Sequence, residues 1–159
     1  MIVSNSSPLI MAAKIDRFDL LSSVFPEGIV IPEMVYNEIT NSDKPGSLEV
    51  QSAEFINVKI CTNQALVHGL NKKLDAGESE AIALAHELGA KIILMDDNMA
   101  RSTASTFGLK PIGIIGILIL AKDLGFIDLL KPELNKLIAN GFWLSNNLID
   151  IVLSRVGEK

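Results

Sequence analysis

Short apolar runs alternate with amphipathic stretches along almost the whole chain. The runs have the length and composition of buried strands, and they lie at residues 1–4, 28–31, 56–60, 90–95 and 110–113. The other stretches carry apolar residues at helical spacing and predict helices over residues 8–13, 18–25, 32–40, 48–55, 62–73, 75–89, 98–107, 116–124, 132–139 and 146–156. Residues 41–46 are rich in turn formers. Strands that alternate with helices predict an α/β fold, with a mostly parallel sheet covered by helices on both faces.

The chain has the length of one domain. Its 159 residues contain no internal repeat, low-complexity tract or linker, so we expect a single domain over residues 1–159. The longest apolar stretch, residues 112–121, is about half the ~20 residues that a membrane span needs, and no transmembrane helix is expected. The N-terminal sequence lacks the features of a signal peptide, and Cys61 is the single cysteine. Both observations predict a cytoplasmic protein.

Composition excludes disorder and limits how the chain could bind nucleic acid. Hydrophobic residues make up 48% of the chain and charged residues 21%, so a packed core is expected. The net charge of −5 has the wrong sign for binding duplex nucleic acid through a broad basic face. A nucleic-acid substrate would need local basic residues, bound cations or a basic partner.

Polar residues follow two of the predicted strands directly. Asn5 follows the first strand, and Asp96 and Asp97 follow the fourth. In an open parallel sheet the cleft forms beyond the carboxyl ends of the strands, so these residues are candidates for chemistry. Adjacent carboxylates repel each other unless a cation or a proton intervenes. The alternative is that one aspartate caps the following helix while the other is solvated.

Two glutamates on predicted helices lie beside packing residues. Glu78 flanks the apolar stripe of the 75–89 helix, whereas Glu80 falls on the outer side. Glu78 also follows Asp75 at the spacing of a capping box, so a structural role competes with a catalytic one. Glu38 lies next to packing residues of its own helix, although a lone glutamate there is more often solvated.

Several other kinds of catalytic site are poorly supported. His68 and His86 have no cysteine or histidine at metal-ligand spacing, which argues against a zinc site. Ser6 and Ser7 lack the G-x-S-x-G elbow of serine hydrolases, and neither a P-loop nor a complete G-x-G-x-x-G fingerprint is present.

Four segments together carry a family resemblance: IVSNSSPLI, VIPEMVYNEI, LDAGESEAIALAHELGAKIILMDD and ANGFWLS. Their order and spacing resemble the PIN-domain family, and specifically its VapC-related branch of toxin-like ribonucleases. The resemblance covers nearly the whole chain. It implies a three-layer α/β/α fold with a mostly parallel central sheet, and acidic residues that hold Mg²⁺ or Mn²⁺ for cleavage of RNA.

The resemblance also implies roles for particular residues. The catalytic acids would be Glu38, Glu78 and Asp96, with Asp97 adjacent. The metal ligands would be Asn5, Glu78 and Asp96, and substrate would be positioned by Ser6, Ser7 and Arg101. The first aspartate of the family pattern D-[ST]-S falls on Asn5. An amide oxygen lacks the full negative charge of a carboxylate and coordinates a hard cation more weakly, so the activity is expected to be reduced or lost.

Three functions are open. The first two follow from the family resemblance and from Asn5, which departs from the family pattern. The first is a toxin-type endoribonuclease that acts on RNA, is restrained by an antitoxin protein, forms a homodimer and does not bind membranes. The second is a catalytically impaired PIN domain that binds RNA or a protein. The third is a receiver-like domain with Asp96 as phosphoacceptor, which would need an acidic pair where the chain has Asn5 and Ser6. Lys14, Arg17 and Arg101 could contact phosphates or be ordinary solvated charges.

Overall fold

Every predicted strand and helix is present in the computed structural model, which describes residues 1–41 and 43–158. The strands are β1 (Ile2–Ser4), β2 (Ile29–Pro32), β3 (Ile56–Lys59), β4 (Ile92–Leu94) and β5 (Lys110–Ile112). The helices are α1 (Ser6–Lys14), α2 (Asp19–Val24), α3 (Glu33–Thr40), α4 (Ser47–Ser52), α5 (Gln64–Leu70), α6 (Ala76–Leu88), α7 (Asn98–Thr106), α8 (Ile114–Asp123), α9 (Lys131–Ala139) and α10 (Asn146–Arg155). Of the predicted turn at 41–46, residue 42 lies outside the described residues.

The central sheet is entirely parallel, with strand order β3-β2-β1-β4-β5. Val3 of β1 pairs with Val30 of β2 on one side and with Ile93 of β4 on the other. The chain runs outward from β1 to β3 and then returns to place β4 on the opposite side of β1. Ligand clefts form where strand order reverses in this way, beyond the carboxyl ends of the two diverging strands.

Two hydrophobic cores lie on opposite faces of the sheet. Ile2 and Val3 are successive residues of β1, and they are buried in different cores because side chains alternate along a strand. Ile93 and Leu94 of β4 divide in the same way. The first core includes buried residues of α1, α2, α8, α9 and α10, and the second includes those of α5, α6 and α7. The predicted three-layer α/β/α architecture is confirmed.

Two helices begin close to the sheet. α1 starts at Ser6, one residue after β1, so that Pro8 lies in its first turn, as predicted, where a missing N–H costs nothing. α8 starts at Ile114, directly after β5, rather than near Gly116. Both helices therefore direct their N-terminal ends toward the carboxyl edge of the sheet. No helix among the described residues has the length and apolarity to cross a membrane.

Glutamates from distant elements cap the N-termini of two helices. Glu87 of α6 accepts hydrogen bonds from the backbone amides of Thr62 and Asn63, just before α5. Glu158 accepts hydrogen bonds from the amides of Leu130 and Lys131 at the start of α9, at 2.6 and 3.1 Å. These bonds satisfy amides that have no partner within their own helices.

Glu158 also binds Lys122 of α8, with 2.6 Å between Oε2 and Nζ. Its side chain is only 9% exposed. Although burial opposes ionisation, the hydrogen bonds and charge of Lys122 and the two backbone amides lower the pKa of Glu158. The ionised carboxylate of Glu158 therefore connects the segment after α10 to α8 and to the start of α9.

We expect Glu158→Gln to lower the free energy of unfolding by about 1–3 kcal/mol near neutral pH, because charged hydrogen bonds are lost from a buried group. The folded-state pKa is depressed, so the contribution is present above the ordinary value of 4.5 and is lost as pH falls through the folded-state pKa. Urea unfolding from about pH 7 to pH 3 measures the difference, with exposed Glu27→Gln as control. Equal losses for both variants, or a loss independent of pH, would contradict this explanation.

Candidate active site

An open cleft lies beyond the carboxyl end of β1, the strand at which strand order reverses. It is lined by Asn5, Ser6, Ser7, Ile10, Met11, Glu38, Asp75 and Glu78. The predicted residues Asn5, Glu38 and Glu78 come from the end of β1, from α3 and from the start of α6. The structure thus brings together side chains that are far apart in the sequence.

Ser6 and Ser7 connect the first turn of α1 to two carboxylates. Ser6 Oγ donates a hydrogen bond to Glu38 Oε2 at 2.5 Å, and Ser7 Oγ donates one to Asp96 Oδ2 at 2.8 Å. Adjacent helical residues point about 100° apart, so one serine reaches α3 and the other reaches the end of β4. The resemblance predicts that the serines position substrate. In the structure their hydroxyls orient acidic side chains.

Asp96 also accepts a hydrogen bond from a backbone amide and lies near a positive charge. Its Oδ1 accepts a hydrogen bond of 2.7 Å from the amide of Ile114, the first residue of α8. Burial raises the pKa of Asp96, and the Ile114 amide, the Ser7 hydroxyl and the positive charge of Arg101 act in the opposite direction. Asp96 is therefore a half-buried carboxylate whose two oxygens accept hydrogen bonds from Ser7 and Ile114.

Gly113 allows the close contact between Asp96 and α8. A Cβ atom added at Gly113 would lie 2.7 Å from Asp96 Oδ1, which is closer than packed atoms can approach. Any larger residue would displace the carboxylate or the start of the helix. No sequence motif marks Gly113 as part of the site, although its place directly after a strand is typical of a position where backbone and ligand approach closely.

Gly77 has the same relation to Glu38. It lies in the first turn of α6, and an added Cβ would lie 2.8 Å from Glu38 Oε2 and closer still to Oε1. The N-terminal turn of a helix carries partial positive charge, which favours a nearby carboxylate. Glu38 is therefore seated between the Ser6 hydroxyl and the start of α6.

Glu78 combines the structural and the cleft-facing roles that the sequence left as alternatives. The capping box is formed, with Glu78 N–H donating to Asp75 Oδ1 at 2.8 Å and Asp75 N–H donating to Glu78 Oε1 at 3.2 Å. The same side chain lines the cleft. Burial raises the pKa of Glu78, as do the charges of Asp75, Asp97 and Glu38, while the Asp75 amide lowers it.

Asp97, like Asp96, is not among the residues that line the cleft. It is the N-cap of α7, its Oδ2 accepts a hydrogen bond from the Ala100 amide at 3.0 Å, and it is exposed. Side chains of consecutive residues leave the end of a strand in different directions, so only Asp96 turns toward Ser7. Asp97 caps α7, and its negative charge also raises the pKa of Glu78, so its catalytic role stays a prediction.

The prediction that Glu80 faces outward is wrong. Glu80 is half-buried, and burial together with the charges of Glu33 and Glu38 raises its pKa. An interaction with the amide of Met34, near the start of α3, lowers that pKa in part. The physical reason is that α3 packs against α6, which covers a face that would be outside on an isolated helix.

The three candidate phosphate-binding cations differ in their surroundings. Arg17 forms an ion pair with Glu133 at 3.6 Å, so it is engaged with α9 and its predicted contact with a phosphate is unsupported. Lys14 is exposed at the last turn of α1. Arg101 is half-buried near Gly113 and contributes positive charge next to Asp96. Among the three, Arg101 is the one placed at the acidic group.

The oxygen donors of the cleft fit a hard divalent cation. Asn5 is 5% exposed, and its Oδ1 is a buried acceptor with no hydrogen-bond partner among the described residues. Carboxylate and amide oxygens are the ligands that Mg²⁺ and Mn²⁺ prefer. No group of three or more His, Cys, Asp or Glu residues in the described chain is arranged to hold an ion. A cation here would need other oxygen ligands as well, and the unpartnered Asn5 Oδ1 is a candidate.

Comparisons with known proteins agree with this geometry. A family model described as DUF3368, a PIN domain, matches residues 1–158. No curated protein is significantly similar in sequence. The fold is similar to that of a PilT N-terminus domain protein from the hyperthermophilic archaeon Sulfolobus solfataricus P2, with a TM-score of 0.55 and 22% identity. The similar region covers 79% of this chain and 95% of the archaeal chain.

The family match extends over nearly the entire chain and agrees with both the all-parallel sheet and the acidic cleft at its switch point. The protein is therefore a member of the PIN-domain family, whose members are generally metal-dependent nucleases.

Proposed function

We propose that the protein is a divalent-metal-dependent endoribonuclease of the toxin type, similar to VapC, with an activity that Asn5 reduces. The observation that carries this proposal is the pair of serine hydrogen bonds, Ser6 to Glu38 and Ser7 to Asp96. They hold Glu38, which lines the cleft, and Asp96, which is bonded to the cleft residue Ser7, although like charges repel. A site that concentrates acidic oxygens in this way is suited to a cation and to a phosphodiester bound through it.

The metal ligands would be Asn5 Oδ1, Glu78 and Asp96. Bound Mg²⁺ or Mn²⁺ would activate a water molecule and neutralise negative charge on the scissile phosphate. Ser7 Oγ and the Ile114 amide fix the two oxygens of Asp96. Glu38, oriented by Ser6, would accept the proton of the attacking water through its carboxylate. Arg101 would add positive charge near the phosphate.

Asn5 accounts for the reduced activity that we propose. It contributes an oxygen without the charge of the aspartate in the family pattern, so the cleft attracts a cation less strongly. Its Oδ1 is buried without a hydrogen-bond partner among the described residues, and Asn5 lines the same cleft as Glu38 and Glu78. An aspartate at this position would add a carboxylate without a large change in volume.

We expect Asn5→Asp to raise metal-dependent RNA cleavage by at least about tenfold, because a charged ligand replaces a neutral one. Adding Asp96→Asn should abolish the gain. Adding Asp123→Asn instead is the matched control, since Asp123 is an exposed aspartate at the last residue of α8. Cleavage of a structured RNA with Mg²⁺ or Mn²⁺ measures all four proteins. No metal-dependent cleavage in any of them would refute the nuclease proposal.

Metal binding should also depend on pH. Folding raises the pKa values of Asp96 and Glu78 above their ordinary values of 3.8 and 4.5. The stability of the metal-free protein therefore falls as pH rises from these ordinary values through the folded-state values. A cation binds the ionised carboxylates and offsets this loss. We expect Mn²⁺ to raise the melting temperature by a few degrees near pH 7.5 and by less near pH 5. A shift equal at both values would contradict metal binding by these residues.

Asn5 also favours a second candidate function, a catalytically impaired PIN domain that binds RNA or a protein. In that case the hydrogen-bonded cleft would be retained for its shape and charge. Metal-dependent cleavage by the unmodified chain would exclude this candidate. RNA binding without cleavage by the unmodified chain, together with cleavage by Asn5→Asp, would favour it.

The toxin assignment carries further proposals about partners and location. An antitoxin protein would restrain the enzyme, the enzyme would form a homodimer, and both would act in the cytoplasm. Growth arrest on expression of the Asn5→Asp variant in a bacterium, relieved by Asp96→Asn in the same background, would support the toxin assignment. Robust growth despite measurable cleavage in vitro would argue against it.

A further inference from the structure

α1 lacks the side-chain cap that its sequence would ordinarily provide. Its N-cap residue is Asn5, whose side chain is of a type that commonly accepts a hydrogen bond from an amide in the first helical turn. Asn5 has the extended backbone of an N-cap residue, yet its side chain makes no capping bond. Its Oδ1 is buried without a partner among the described residues. A buried acceptor without a donor lowers stability, so this arrangement needs a physical reason.

The helices that do have side-chain caps show which donor α1 is missing. Asp75, Asp97 and Ser145 each accept a hydrogen bond from the amide of the third helical residue, at 2.8, 3.0 and 3.1 Å. Asn63, the N-cap of α5, does the same. Each side-chain N-cap of the described helices therefore uses the amide that lies three residues further along the chain.

Proline occupies that position in α1. The third residue of the helix is Pro8, which is buried and has no N–H. Proline fits the first turn of a helix, because the amides there have no partner within the helix. The donor that Asn5 Oδ1 would otherwise use is therefore absent. Asn5 lines the cleft together with Glu38 and Glu78, so an unpartnered oxygen is available beside two carboxylates.

We propose that Pro8 is a positioning residue, which keeps Asn5 Oδ1 free for a divalent cation by removing the amide that would cap α1. This inference rests on the proposed cation site, and it adds a residue that contacts neither metal nor substrate. An asparagine side chain offers one oxygen, whereas an aspartate offers two. A capping bond would compete with a cation for the single oxygen of Asn5, but it would leave one oxygen of an aspartate available.

Calorimetric titration of Mn²⁺ into Pro8→Ala tests this role. Alanine restores the amide, and we expect Mn²⁺ binding to weaken about fivefold, the factor that corresponds to one N-cap hydrogen bond. In the Asn5→Asp background the same substitution should have little effect, since the second carboxylate oxygen remains free. Pro132→Ala removes an exposed proline from the first turn of α9 and should bind Mn²⁺ like the unmodified chain. Unchanged affinity of Pro8→Ala, or an equal loss in both backgrounds, would overturn the proposal.

Amide hydrogen exchange tests the capture of Asn5 in the absence of metal. In Pro8→Ala we expect the new amide of residue 8 to exchange several-fold more slowly than in Pro8→Ala combined with Asn5→Ala, because Asn5 Oδ1 is its acceptor. The Glu78 amide, which Asp75 caps, is the internal reference and should exchange equally in both. Equal exchange at residue 8 would overturn the proposal. Slow exchange, with no Mn²⁺ binding by the unmodified chain or by Asn5→Asp, would instead refute the cation site itself.

Discussion

The hydrogen bonds from Ser6 and Ser7 are the interactions on which the candidate site depends. Each serine fixes one carboxylate, and together they hold Glu38 and Asp96 on either side of the β1–α1 junction. Burial raises the pKa values of Asp96 and Glu78, and for Glu78 the charges of Asp75, Asp97 and Glu38 raise it further. Hydroxyl and amide donors offset part of these shifts in the metal-free protein.

The fold supplies those donors through the places where its helices begin. β1 and β4 end next to each other because strand order reverses at β1. α1 and α8 start immediately after their strands, which directs two hydroxyls and the Ile114 amide toward the acidic side chains. Gly77 and Gly113 leave the space that the carboxylates occupy. The cleft is thus a consequence of topology together with four small residues at helix starts.

The fold could be predicted from the sequence because its signals are local. The apolar runs specify the strands and the helical spacing specifies the helices, and their alternation is enough to predict a parallel sheet. The site was harder to predict, because contacts between distant elements decide it. Asp96 and Asp97 both follow β4 directly and cannot be distinguished by sequence. In the structure Ser7 binds Asp96, whereas Asp97 caps α7. Similarly, α3 covers Glu80, and Glu133 engages Arg17, through packing that no local pattern contains.

Serine hydroxyls position the acidic side chains of the proposed cation site. Calorimetric titration of Mn²⁺ into the Asn5→Asp protein, with and without Ser7→Ala, tests this positioning most directly. Residues that orient metal ligands typically contribute about 10–100-fold to affinity, so we predict a loss of that size for Ser7→Ala. Ser102→Ala, at an exposed position of α7, is the matched control and should bind Mn²⁺ normally. Equal Mn²⁺ affinity with and without the Ser7 hydroxyl would contradict the account.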